Sequence, residues 1–110
     1  IINIIDIHSK KPLKEHPIYG SAKSGLAMLT RSLASDLAPD VRVNGISPGL
    51  ILWPENNLSE QVKNNILLQI PLKKIGTSED IANCVVFLIK NAPYITGEII
   101  AVDGGRSIGW

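Results

Sequence analysis

The sequence predicts an α/β fold built on a parallel sheet with helices wound on it, the doubly wound class, and three observations carry that expectation. The run "IINIID" is apolar toward both faces, a strand made to be covered above and below. Residues 17–38 and 77–90 then read as helices. Each helix is followed by a short β-rich run, "VRVNGIS" and "EIIAVDGG", closed by glycine. Strands alternating with helices favour parallel pairing through right-handed crossovers.

The elements follow in order. Residues 1–6 form the first strand, with Ile1, Ile2, Ile4 and Ile5 serving both faces. Such a strand needs neighbours on both edges, so the chain is expected to be the C-terminal part of a longer protein. "IHSKKPLKEHP" is a polar loop. From Pro17 to Ala38 the leucines and one alanine (Ala22, Leu26, Leu29, Leu33 and Leu37) make an apolar stripe, while Ala27, Ala34 and Ala38 make a small-residue face suited to close packing. Pro39 and Asp40 end that helix, residues 41–47 form a second strand, and Pro48-Gly49 break it. "LSEQVKNNILLQI", with Leu58, Val62 and Ile66 on one side, is an amphipathic helix between Pro54 and Pro71, placed over a cleft rather than in the core. "TSEDIANCVVFLIK" has Thr77 or Ser78 as its cap, Glu79 and Asp80 in its first turn and Lys90 near its end. The last strand runs into the turn Asp103-Gly104-Gly105.

Composition narrows the function. In 110 residues, 11 basic side chains stand against 10 acidic ones, a net charge of +1, and no basic cluster exceeds Lys10-Lys11 or Lys73-Lys74. That balance argues against a nucleic-acid or anionic-membrane partner. The single Cys84 excludes an intrachain disulfide framework and a multi-cysteine zinc site, and it fits a reducing, cytoplasmic location. No apolar run approaches the ~20 residues that span a bilayer. His8 and His16 lie in the polar loop without a ligand set, and no metal site is expected. Cys84, in "ANCVVFL", reads as packed.

In sheets of this class ligands bind beyond the carboxyl ends of the strands, which here means Asp6, Pro48-Gly49 and Asp103 to Gly105. The helix start "YGSAKSG" adds Tyr19 and Lys23, four residues apart and so on one helical face. An ammonium beside a phenol lowers the tyrosine pKa from its reference of about 10, which favours proton transfer near neutral pH. A carboxylate nearby, such as Asp6, acts in the opposite direction.

"YGSAK", "VRVNGISPG" and "ITGEIIAVDGG", in that order, together resemble the second half of a short-chain dehydrogenase/reductase, and the resemblance covers nearly the whole chain. It implies that residues 1–110 are the C-terminal catalytic half of one Rossmann-like domain. The N-terminal nucleotide-binding half would be missing, and the 110-residue chain inactive alone. The glycine-rich phosphate loop and the residue that selects NAD or NADP have no counterpart in the sequence. The resemblance implies hydride transfer with Tyr19 as acid/base, Lys23 on the nicotinamide ribose, and Pro48, Gly49, Leu50 and Ile51 along the nicotinamide end. Most members carry a serine thirteen residues before the tyrosine, where this chain has Asp6. A carboxylate only accepts hydrogen bonds and so suits a substrate that presents N–H groups. Asp6, Tyr19 and Lys23, with "DIHSKKPLKEHPIY" and "SPGLILWPE", resemble the family's pteridine reductases, of the dihydromonapterin and dihydrobiopterin types.

The expected activity is therefore NADPH-dependent reduction of a dihydropterin. Trp53 would be a wall of the pterin slot or, equally, a loop anchor, and a homodimer or homotetramer is implied. Arg106 or Trp110 would reach toward a neighbouring subunit. The alternatives are a ketone, ketoacyl or sugar-alcohol reductase, or a non-catalytic piece that keeps only assembly helices.

Overall fold

A computed structural model describes residues 1–53 and 57–110, so Pro54, expected to flank the central helix, lies outside the described residues. Strand β1 (Ile2–Ile4) leads through a 3-10 turn (Ile7–Ser9) to α1 (Pro17–Leu37) and β2 (Asn44–Pro48). Helices α2 (Glu60–Leu68) and α3 (Ser78–Lys90) precede β3 (Ile99–Val102) and a second 3-10 turn (Arg106–Gly109). The strands form one parallel sheet in the order β1-β2-β3, with Ile4, Ile46 and Ile100 side by side. The expected α/β class and its three strands are observed.

The pleat assigns the faces. Ile2, Ile46, Ile100 and Val102 pack with Leu88 and Ala92 of the α3 segment, and Ile46 and Leu88 are fully buried. On the opposite face Asn3 donates its side-chain N–H to Thr30 Oγ1 of α1 at 3.0 Å. A sheet whose strands advance in one direction keeps its helices on one face only if the crossovers share a hand. With α1 and α3 on opposite faces, the two crossovers wind oppositely, which corrects the expectation of right-handed connections throughout. The α2 segment intervenes in the second crossover and gives the chain the length to change sides.

Within these 110 residues Ile5 is buried, while Ile1 and Ile4 are 57% and 45% exposed. Strand β1 pairs with β2, and α3 packs over β2 and β3. In α1 the side chains that reach the sheet are the small ones: Ala27, Thr30 and Ala34 are buried, whereas Leu29 and Leu37 are exposed. Small side chains let the helix backbone approach, and a methyl placed on Gly97 would already sit 3.4 Å from the Ala34 Cβ.

Polar pins hold α3 to β2. The Arg42 guanidinium donates to the carbonyls of Ala92, Ile95 and Ile89 at 3.0 to 3.3 Å, neutralising the carbonyl end of α3. Buried Asn44 donates to Ile95 O and accepts from the Glu98 N–H. At its start α3 carries a reciprocal cap between Thr77 and Asp80, as the sequence indicated, and Ser59 caps α2. No residue of α2 is buried, which agrees with a segment lying outside the core. Cys84 packs partly buried against the α3 cluster. No helix among the described residues is long and apolar enough to cross a membrane. No group of three or more His, Cys, Asp or Glu among them could hold a metal ion.

The ends of β2 and β3 meet at Asp103. A Cβ on Gly49 would lie 2.7 Å from the Asp103 Cα, so only glycine lets β2 close against the turn after β3. Partial burial opposes the Asp103 charge, but the hydroxyl and N–H of Ser107 and the N–H of Gly105 outweigh it and hold the carboxyl below its usual range. A depressed carboxyl stabilises the fold above its unfolded pKa of about 3.9, and that contribution is lost as the pH falls through the lower folded value. Asp103→Ala in the full-length protein is therefore expected to cost about 1–2 kcal/mol at neutral pH. Denaturant unfolding at several pH values should show the gap to wild type closing below about pH 4.

Candidate active site

Sequence order alone leaves open whether the start of α1 returns to the end of β1, ten residues of loop away. The structure shows that it does. Asp6 directly follows β1 and caps the 3-10 turn, its Oδ1 accepting the His8 N–H at 2.7 Å. Its other oxygen, Oδ2, accepts the Tyr19 hydroxyl at 2.7 Å. Lys23, one turn along α1, donates from Nζ to the Ile4 carbonyl at 3.0 Å, and its ammonium lies 5.9 Å from the Tyr19 ring centroid. Ser24 Oγ donates to the Ser9 carbonyl at 2.5 Å and ties the same helical turn to the 3-10 segment. Pro17 at the first position of α1 fits a place where an N–H would have no helical partner.

Ile4 offers its carbonyl to Lys23 for a reason set by the sheet. In the β1-β2 ladder, Ile1 O and the Ile5 N–H point to β2, so the alternate residue Ile4 turns its carbonyl to the open edge. An ammonium has three donors, and this bond uses one. The remaining two, on a half-exposed side chain beside the Tyr19 ring, fit a vicinal diol such as the ribose of a nicotinamide cofactor.

Of the residues singled out in the sequence, Asp6, Tyr19 and Lys23 are brought into one cluster. Pro48 closes β2, and Gly49 follows with its N–H on Val102 O. Leu50 accepts the Gly76 N–H, and Ile51 lies against Gly76. The Lys63 ammonium of α2 lies 5.6 Å from the Trp53 ring centroid. The sequence reading gave His8 no role in the site and did not use the Ser24 hydroxyl. An Asp two residues before a main-chain N–H at a turn is an Asx cap, and "DIH" carried that signal for His8.

The electrostatics reverse one expectation. The Tyr19 pKa is not lowered by Lys23 but raised to about 12, first by partial burial, then by the hydrogen bond to Asp6 and its negative charge. Both Asp6 effects favour the neutral phenol. Tyr19 is therefore a phenol across the neutral range, able to donate a proton. Asp6→Ser should bring the Tyr19 ionisation down from about 12 toward its reference near 10. A phenolate absorbance titration, taken as the difference from a Tyr19→Phe protein, checks this, and an unchanged or higher value would exclude Asp6 as the cause.

Comparison with known proteins places the chain. A family model described as Enoyl-(Acyl carrier protein) reductase matches residues 1–107. Pteridine reductase 1 of Leishmania tarentolae is 39% identical over 98% of this chain and 38% of its own length. The 3-oxoacyl-[acyl-carrier-protein] reductase FabG of Aquifex aeolicus is 47% identical over 79% of the chain and 36% of its own length. The solved structure of an apo SCOR enzyme from Clostridium thermocellum superposes with a TM-score of 0.83 at 42% identity, covering 98% of this chain and 42% of that one. The chain thus spans well under half the length of the relatives it matches. With its parallel sheet, its Tyr19/Lys23 helix and this match over residues 1–107, the chain belongs to the short-chain dehydrogenase/reductase family of oxidoreductases.

Proposed function

We propose that this chain carries the proton-transfer centre of an NADPH-dependent pteridine reductase that converts a dihydropterin to a tetrahydropterin. The observation that carries the reading is the 2.7 Å hydrogen bond from the Tyr19 hydroxyl to Asp6, at the position where most of the family has a serine. A bound nicotinamide cofactor supplies the hydride. Tyr19 supplies the proton to the nitrogen of the reduced C=N bond. Asp6 orients that hydroxyl and accepts an N–H of the heterocycle. Lys23 holds the ribose diol with the two donors left over from Ile4. Pro48, Gly49, Leu50 and Ile51 line the nicotinamide end, and Trp53 belongs to the substrate wall. The proposal includes a cytoplasmic location and a homodimer or homotetramer.

A second reading is favoured by the 47% identity to a 3-oxoacyl reductase, namely reduction of a ketone or ketoacyl group. Steady-state kinetics of the full-length protein on dihydrobiopterin and on a 3-oxoacyl substrate separate the two. Tyr19→Phe is expected to lower kcat on the favoured substrate by about 100-fold or more while NADPH binding changes little. Asp6→Ser should lower dihydropterin turnover by at least about tenfold and leave carbonyl reduction equal or faster. Dihydropterin turnover that survives the serine change would remove the pterin reading and leave the ketoacyl one.

A further inference from the structure

The loop after β1 has a second anchor, far from it in sequence. Trp110 lies with its ring centroid 5.2 Å from that of His8, the planes tilted by 30°, and the Lys11 ammonium is 5.2 Å from the same indole centroid. Aromatic pairs at this spacing and cations over an indole both attract. His8 is fixed in turn, since its Nδ1 faces the Lys11 carbonyl at 3.1 Å. A carbonyl only accepts, so Nδ1 carries the proton and the ring orientation is set.

We infer that Trp110 is a positioning residue for the proton-transfer centre, acting through His8 on Asp6. The path is short. Trp110 seats the His8 ring, the His8 N–H holds Asp6 Oδ1 at 2.7 Å, and Asp6 Oδ2 holds the Tyr19 hydroxyl at 2.7 Å. Asp103 holds the start of the turn that precedes Trp110 through the Gly105 N–H and the N–H and hydroxyl of Ser107. The contact thereby ties the segment after β3 to the turn after β1. This inference rests on the proposed roles of Asp6 and Tyr19.

His8→Ala is an informative variant because it keeps the main-chain N–H that holds Asp6 and deletes only the ring that Trp110 seats. In the full-length protein assayed with NADPH and dihydrobiopterin, Trp110→Ala and His8→Ala are each expected to lower kcat by about three- to tenfold. The KM for NADPH should stay within about twofold, Trp110→Phe should recover most of the rate, and the double alanine variant should be no slower than either single one. With fluorotryptophan incorporated, the fluorine resonance absent from Trp110→Phe identifies Trp110, and His8→Ala should shift it.

Full kcat in Trp110→Ala, with Tyr19→Phe inactive, overturns the positioning role and leaves the catalytic reading standing. Full turnover in Tyr19→Phe overturns both. A rate loss in Trp110→Ala that Phe does not rescue and that tracks loss of folded protein makes the residue structural only and also overturns the proposal. So does a Trp110 resonance that His8→Ala leaves in place.

Discussion

One carboxylate holds the site together. Asp6 spends one oxygen on the turn that follows β1 and the other on a helix that begins eleven residues later. Hydrogen bonds to an ionised acceptor are roughly twice as strong as neutral ones. The loop between them is polar and exposed, with no packed core of its own to define where α1 begins. The tie from Lys23 to the Ile4 carbonyl and that from Ser24 to the Ser9 carbonyl act on the same helical turn. The three bonds fix the position of the turn and also its rotation about the helix axis, which decides where the Tyr19 hydroxyl points.

The small residues between and after Tyr19 and Lys23 have more than one cause. Ser24 is small and polar because its hydroxyl must reach a main-chain carbonyl. Gly20 backs onto the His8 carbonyl, but a Cβ there would sit at 3.7 Å, an ordinary contact, so packing within this chain does not demand glycine. Gly25 faces open space. The close approach to the sheet occurs further along, at Ala27, Thr30 and Ala34. The helix thus uses its small side chains in two ways, for reach at its start and for packing in its middle.

Much of this was legible in the sequence because periodicity reports local structure. The limits of α1 and the reciprocal cap of α3 follow from residue order, as do the three strands and the shared face of Tyr19 and Lys23. What periodicity does not report is which neighbour an element meets. The sequence marked a leucine stripe and an alanine face on α1, and it is the alanine face that packs on the sheet. Arg42, two residues before β2, gave no sign in sequence that it would serve three carbonyls at the far end of α3. The direction of the Tyr19 pKa depended first on burial and then on the hydrogen bond to Asp6, neither of which residue order reports.

The raised tyrosine bears on the choice of substrate. A general acid works best with a pKa near the operating pH, so a phenol at about 12 is a reluctant donor. With a ketone, a lone carboxylate beside the reacting oxygen makes this worse, because Asp6 can only accept and its charge opposes both the forming alkoxide and the phenolate left behind. A heterocycle that presents an N–H to Asp6 changes the balance. The carboxylate would then share its charge with a substrate donor, and its pull on the Tyr19 hydroxyl would weaken. Lys23, whose ammonium lies 5.9 Å from the Tyr19 ring, adds its attraction for the phenolate. Under the proposed pterin reading, the same aspartate that suppresses proton donation before binding would relax that suppression once a substrate N–H reaches it.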